Sequence, residues 1–396
     1  MIHIFDLSER TLPKYIMFSC AYLAQGIHLA IATILVPIYL LDKNFPPEYA
    51  AFIAGIVMIP WIIKFIFGWI ADHYSKFGRK KFSLYGGLSS AFFLLILAFI
   101  DPSLYLIYFI LTLIFIHCGV GFLDVSIDAW AIETTVEQER GKINGAMTAS
   151  FFTGMALGSS FLGQVAKNIS YSNAFIVASL CIFILLLPLL LAKEKRKIKR
   201  HHGIGQILKH EFTKKKTQIM IIFLPLISIN SGIITFAVPF FMNMNLHLDI
   251  GQIGLITTIS IIGRVAGSLI GGLSTDKWGR KRTLIFIIIT TIIFSALLIY
   301  VNSWQIIAIL YGILGLLNGA LFTNLFAICM DITAPEVGAT QFSILMSLLN
   351  FGELGGESMS GILISQLGFG RTFLYAAWIL GSGLLILRFI RLKPTK

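Results

Sequence analysis

Only 13% of the 396 residues are charged, about half the share of a soluble domain, and that scarcity excludes an ordinary water-soluble fold. Cysteine is as sparse. Cys20, Cys118, Cys181 and Cys329 lie singly inside apolar runs, with no pair at metal or redox spacing, so they read as small core residues. There is no H-E-x-x-H helix, no G-x-S-x-G elbow and no G-x-x-x-x-G-K-[ST] loop, which leaves zincin, hydrolase and P-loop chemistry without residues. No enzyme activity, metal or cofactor is expected. Strand-length alternation of polar and apolar residues is missing too, and an outer-membrane barrel needs it.

What is present is hydrocarbon. Hydrophobic residues make up 57% of the chain, with 33 Phe, in runs of about the 20 residues that cross a bilayer. Breaks at turn residues and charges give twelve spans: 14–41, 50–71, 82–100, 104–131, 143–167, 172–192, 217–245, 250–275, 283–301, 303–331, 341–367 and 370–391. Backbone groups cannot stay unpaired in lipid, so apolar segments of this length are helices. The expected fold is therefore an all-α membrane protein with twelve transmembrane helices.

A net charge of +12 would suggest nucleic acid in a soluble protein. Here its placement matters more. With both termini cytoplasmic, 26 of the 31 basic residues fall on the inner side, against Lys43, Lys167 and Arg371 outside and Lys64 and Arg264 within helices. This asymmetry predicts a multi-pass protein of the cell membrane with that orientation and no nucleic-acid partner. The basic stretch 193–216 separates an N-terminal bundle, 1–192, from a C-terminal bundle, 217–396. Its charge could lie on anionic lipid, but a solvated linker is the plainer reading.

The two bundles repeat one another. "GWIADHYSKFGRKK" (68–81), after the second span, returns as "GGLSTDKWGRKR" (271–282) after the eighth; Gly68 and Asp72 match Gly272 and Asp276. "ERG" at 139–141 faces "EVG" at 336–338, and Gly154 and Gly158 match Gly352 and Gly356. Such correspondence is the trace of a parallel internal repeat.

The pattern G-x-x-x-D-x-x-G-R-K/R resembles the signature of the major facilitator superfamily. Its second copy, Gly272, Asp276, Gly279, Arg280 and Lys281, keeps the spacing, whereas three extra residues precede "GRKK" in the first. The resemblance implies two pseudo-symmetric six-helix bundles, a monomer, and lipid-facing helices 3, 6, 9 and 12. It also places Asp72 and Asp276 against the N-termini of helices 11 and 5, where a carboxylate gains about 0.3–1 kcal/mol from the helix dipole. Arg79 and Arg280 would steady these carboxylates, making a gate. More narrowly, "PWIIKFIFGWIAD" (60–72) and "FLDVSIDAWAIETTVEQERG" (122–141) are similar to segments of the branch holding AmpG-type muropeptide permeases, acetyl-CoA transporters and folate/biopterin transporters.

A charge at mid-bilayer costs at least about 2.5–3.5 kcal/mol, so each one needs a reason. Six qualify: Lys64, Asp124, Asp128, Arg264, Glu353 and Glu357. Asp124 and Asp128, like Glu353 and Glu357, are four apart and share a helix face. Paired acids resist joint ionisation, which suits a proton carrier; Glu353 is the first candidate, followed by Glu357, Asp128 and Asp124. Lys64 and Arg264 would meet an anionic cargo, with Gln25, His28, Asn230 and Asn318 as further cargo contacts. The expected function is proton-coupled symport of a small organic solute by alternating access. A proton-driven exporter of lipophilic or cationic compounds is the alternative.

Overall fold

The computed structural model describes residues 5–6, 11–194 and 203–389. Twelve membrane helices run through the described residues. α1 is three stretches in series, Thr11–Ala30, a π-helical turn at Ile31–Leu35, and Val36–Asp42. α2 is broken twice, into Pro47–Val57, Ile59–Ile62 and Phe65–His73. α3 (Arg79–Leu97), α4 (Pro102–Thr134), α5 (Arg140–Asn168) and α6 (Tyr171–Leu185, continued by Leu187–Leu191) complete the first repeat. α7 (Lys215–Met244), α8 (Ile250–Trp278), α9 (Arg280–Leu297) and α10 (Trp304–Ile332) follow. A last helical run, Gly338–Leu387, is α11 (338–367) and α12 (369–387), divided where Gly368 takes φ 75°.

The ends are set by local chemistry. Asp101 accepts from the Ser103 N–H ahead of α4, with Pro102 in the first turn, where its missing N–H would be unpaired anyway. Asp249 and Gln252 close a capping box at the start of α8. Nine described stretches are long and apolar enough to cross a bilayer on composition alone. α11 and α12 are contiguous there and count once; the Ser- and Gly-rich α3 and α5 fall short of that apolarity.

The chain divides into two compact units. One comprises 1–135, 150–207 and 334–344; the other comprises 136–149, 208–333 and 345–396. Each unit thus takes the first turns of one helix, α11 or α5, from the opposite repeat. In the first unit Phe67, Ala71, Val125 and Ala129 pack with Ala339. In the second, Ile233, Val238, Phe241, Tyr311 and Phe373 belong to one buried cluster. Glycines bring helices together in the same way in both repeats. Gly154 lies against the Leu23 carbonyl, as Gly352 and Gly356 lie against those of Pro225 and Ile229, the close packing small residues allow.

Large apolar side chains stay exposed on α3 (Phe92), α6 (Leu180, Ile184), α9 (Phe286, Ile293) and α12 (Trp378, Leu385), a surface suited to hydrocarbon. Phe5–Asp6 pairs in parallel with Ala192–Lys193, and a linker helix covers Ile204–Thr213. The basic cluster at 195–202 lies outside the described residues.

Candidate functional site

In each unit the repeated motif ties a carboxylate to the first turn of a helix from the other repeat. Asp72, at the end of α2, is fully buried. Its Oδ2 accepts from the Thr340 N–H (2.7 Å) and hydroxyl (2.6 Å), and its Oδ1 from the Ala339 N–H (3.2 Å) and Arg79 (2.7 Å). Those N–H groups are orphan donors of the first turn of α11. Asp276 accepts from the Gly141 and Lys142 N–H groups of α5, at 2.9 and 2.7 Å, and from Arg280 at 2.6 Å. Arg79 also donates to Glu133 at 3.1 Å, and Arg280 to Asp331 at 2.9 Å. Asp331 is shared with Arg140 at 3.0 Å.

Glu133 and Asp331 were not singled out from the sequence. Their signal was there: they end α4 and α10 at an offset of 198, within one residue of the 197 relating Glu139 to Glu336. The extra residues in the first motif are absorbed by a single 3-10 turn, Ser75–Phe77. Gly78 and Gly279 then take φ 89° and 87°, a left-handed conformation that favours glycine. Behind Gly78, Glu194 accepts from the N–H groups of Arg79 (2.5 Å) and Lys80 (3.2 Å). Burial pushes its carboxyl up from the usual range, against the pull of those two N–H groups.

Gly68 shows why the motif needs glycine. A Cβ there would stand 2.6 Å from the Ala339 carbonyl oxygen. Gly68→Ala is expected to lower stability by about 1–3 kcal/mol in thermal unfolding. Gly55→Ala on the same helix, with nothing within 4 Å, is expected to be neutral or stabilising.

A second cluster lies inside the first unit. Lys64, at the second break of α2, donates to Asp124 at 2.8 Å, and both are buried. Asp128, one turn along α4, accepts from the Tyr22 hydroxyl of α1 at 2.5 Å. Gln25 and His28 are also buried, and the Nε2 of each has no partner. Lys64 is therefore held by Asp124 rather than standing open to cargo, and Tyr22 is a partner that the sequence did not announce.

The second unit brings three sequence candidates together. Asn230, Arg264 and Asn318 line one recess with Ser231, Thr235 and Tyr311. Its cavity is about 20 Å³, room for a single water. Arg264 donates to Thr235 at 3.0 Å. Asn318 donates to Ser231 at 2.6 Å, and Ser231 in turn to Glu353 at 2.9 Å. The Asn230 amide nitrogen and the Asn318 carbonyl oxygen are buried without partners. Glu357 follows Glu353 by one turn on α11. Asn324, further along α10, donates to the Thr275 hydroxyl and to the Arg280 carbonyl.

The profile described as Major Facilitator Superfamily matches residues 15–243 and again 220–396. The chain belongs to the major facilitator superfamily. The AmpG 1 protein of Rickettsia bellii is 23% identical over 366 residues, 86% of this chain and 89% of its own length. Among solved structures, the human organic anion transporter MFSD10 superposes with a TM-score of 0.77 at 12% identity, over 96% of this chain and 100% of that one. The Escherichia coli fucose:proton symporter FucP does so with 0.76 at 10%, over 96% and 99%. At such identity the structural likeness is one of fold. As a superfamily member, this is a multi-pass membrane transporter of the secondary type.

Proposed function

We propose that this transporter couples uptake of a small organic anion to protons, by alternating access. The observation that carries the reading is the recess of the second unit. It holds a guanidinium, an unpartnered amide donor and an unpartnered carbonyl acceptor, joined through Asn318 and Ser231 to Glu353. Those groups suit a carboxylate that also bears a hydroxyl or amide, admitted when the recess widens beyond the single water it has room for here. Coupling follows from electrostatics. An ionised glutamate on α11 offsets the Arg264 charge, whereas a protonated one leaves the guanidinium to an incoming anion. Proton and anion then enter together, since either alone leaves a charge uncompensated in low dielectric.

The rest of the proposal concerns motion and placement. The bundles 1–192 and 217–396 rock about the linker 193–216, the Asp72 and Asp276 latches close the cytoplasmic side, and the monomer sits in the cell membrane with both termini inside. That FucP is a fucose:proton symporter supports the mode of coupling, not the cargo.

A thermal-shift screen across nucleotides, sugars, peptides and organic acids identifies the cargo; stabilisation by carboxylates that is lost in Arg264→Gln is the expected result. Uptake of the best carboxylate into proteoliposomes is then followed against pH. Glu353→Gln should flatten that dependence and abolish accumulation driven by a proton gradient. Accumulation with unchanged pH dependence in both Glu353→Gln and Glu357→Gln would remove the coupling mechanism. Stabilisation by cations alone, with outward flux, would favour export.

A further inference from the structure

An apolar crevice lies in the first unit, apart from the recess that carries the transport reading. Its volume is about 430 Å³, well above the roughly 150 Å³ of an apolar cavity that holds benzene. Leu23 and Ile27 of α1, Leu157 and Phe161 of α5, and Cys181 and Leu185 of α6 line it, and no lining side chain carries nitrogen or oxygen. Water needs polar partners and finds none there. The mouth is on the lipid-facing surface, since Leu157, Phe161 and Ile184 at its edge are exposed. Unfilled, such a space forfeits the dispersion contacts of the atoms that line it.

Depth and charge together say what fills it. Cys181 is the central residue of α6, which ends at Leu191. The ten residues between them rise about 15 Å, half of a hydrocarbon core about 30 Å thick. One lipid tail covers that distance from its own leaflet. The linker end offers a path, because Leu12 and Ile16 are exposed and continue the α1 stripe of Leu23 and Ile27 at helical spacing. That end is also basic. Lys193 is exposed just beyond α6, while Lys80 donates to the Leu190 and Ala192 carbonyls at 2.7 Å. The opposite end of α6 carries an acid, Asp42, which accepts from the Tyr171 hydroxyl. Lys43 there is already paired with Asp101 at 2.5 Å, and Lys167 is turned about 140° round α5 from Leu162. A negatively charged head is therefore favoured at the linker end.

We propose that this crevice binds one acyl chain of an anionic phospholipid from the leaflet on the linker side, with the phosphate at Lys193. Gly154 and Gly158 already bring α5 against the Leu23 and Ile27 carbonyls, and the lipid tail supplies the contacts missing between α1 and α6. The site needs neither cargo nor proton, so it stands or falls apart from the coupling reading.

The test uses the full-length protein, delipidated in detergent, with Cys20, Cys118 and Cys329 replaced by Ser so that only Cys181 reacts with N-cyclohexylmaleimide. Dioleoyl phosphatidylglycerol at ten times its dissociation constant should slow that labelling about tenfold. At the same concentration dioleoyl phosphatidylcholine should slow it less. Dihexanoyl phosphatidylglycerol, whose tails end short of the crevice, should leave it unchanged. Lys193→Gln should remove the difference between the two dioleoyl lipids. Leu180→Cys, with all four native cysteines replaced by Ser, puts the thiol on the exposed face of α6 and reports shielding by bulk lipid, which should be small. Native mass spectrometry of the unmodified protein should show one phosphatidylglycerol retained, and none in Cys181→Phe or, should that variant fail to fold, in Ile184→Trp. Equal slowing at positions 180 and 181, equal slowing by the choline or the short-tailed lipid, or retention by the filled variants would overturn the site.

Discussion

Lys64→Met is expected to lower the unfolding free energy by about 3–5 kcal/mol, because it strands a buried carboxylate. Asp124 is 3% exposed and loses its 2.8 Å partner, with Asp128 only one turn away. The Lys64 ammonium also sits 5.0 Å from the Trp61 ring centre, so an additional contact disappears. Replacing both charges, Lys64→Met with Asp124→Leu, should recover most of the loss, since apolar substitutes for a buried pair are often neutral or stabilising. Thermal unfolding in detergent, read as a double-mutant cycle, checks this. Single and double variants of equal instability would mean that the pair is not the origin of the effect. The double variant also separates glue from function. If it is stable but does not transport, the pair is retained for its charge.

Asp72→Asn should weaken the first latch enough to change which face of the protein is reachable. Four donors converge on Asp72, one of them a buried guanidinium and two of them backbone N–H groups at a helix N-terminus. Hydrogen bonds to a charged group contribute about 1.5–3 kcal/mol each, and an amide can replace only part of that set. A loss of about 3 kcal/mol shifts a two-state equilibrium by roughly a hundredfold. A cysteine placed at Ser343, 1% exposed on α11, in a background with the four native cysteines replaced by Ser, reports the change by maleimide labelling. The expected outcome is fast labelling in Asp72→Asn and slow labelling with Asp72 intact. Asp276→Asn should have a smaller effect on its own side, because no hydroxyl joins the two backbone N–H groups and Arg280 on that carboxylate. Equal labelling with and without Asp72 would show that the latch does not hold that end closed.

How far the sequence reached can be followed residue by residue. "GRKK" and "GRKR" marked turns whose glycines must take positive φ, and that constraint is local, so one chain suffices to reveal it. Glu133 and Asp331 also accept from Arg79 and Arg280, at 3.1 and 2.9 Å, but nothing in the sequence around either acid marks it apart from other acids at helix ends. Only the fold brings each within 3.1 Å of its arginine. The interruptions of α1 and α2 were also missed. A π turn leaves hydropathy unchanged, and an apolar run reads the same whether it is straight or broken.

The sequence by itself determined that this is a membrane protein of twelve helices in two related sets, because a bilayer imposes length, apolarity and charge bias on every span independently. It also nominated six charges inside the apolar spans, since each stands out against hydrocarbon. Partnership was decided only by the tertiary structure: Lys64 with Asp124, Tyr22 with Asp128, Asn318 through Ser231 to Glu353. Those pairs join residues far apart in the chain. Which one forms depends on helix rotation and crossing, set by how glycines and bulky side chains interlock, and no single helix carries that information.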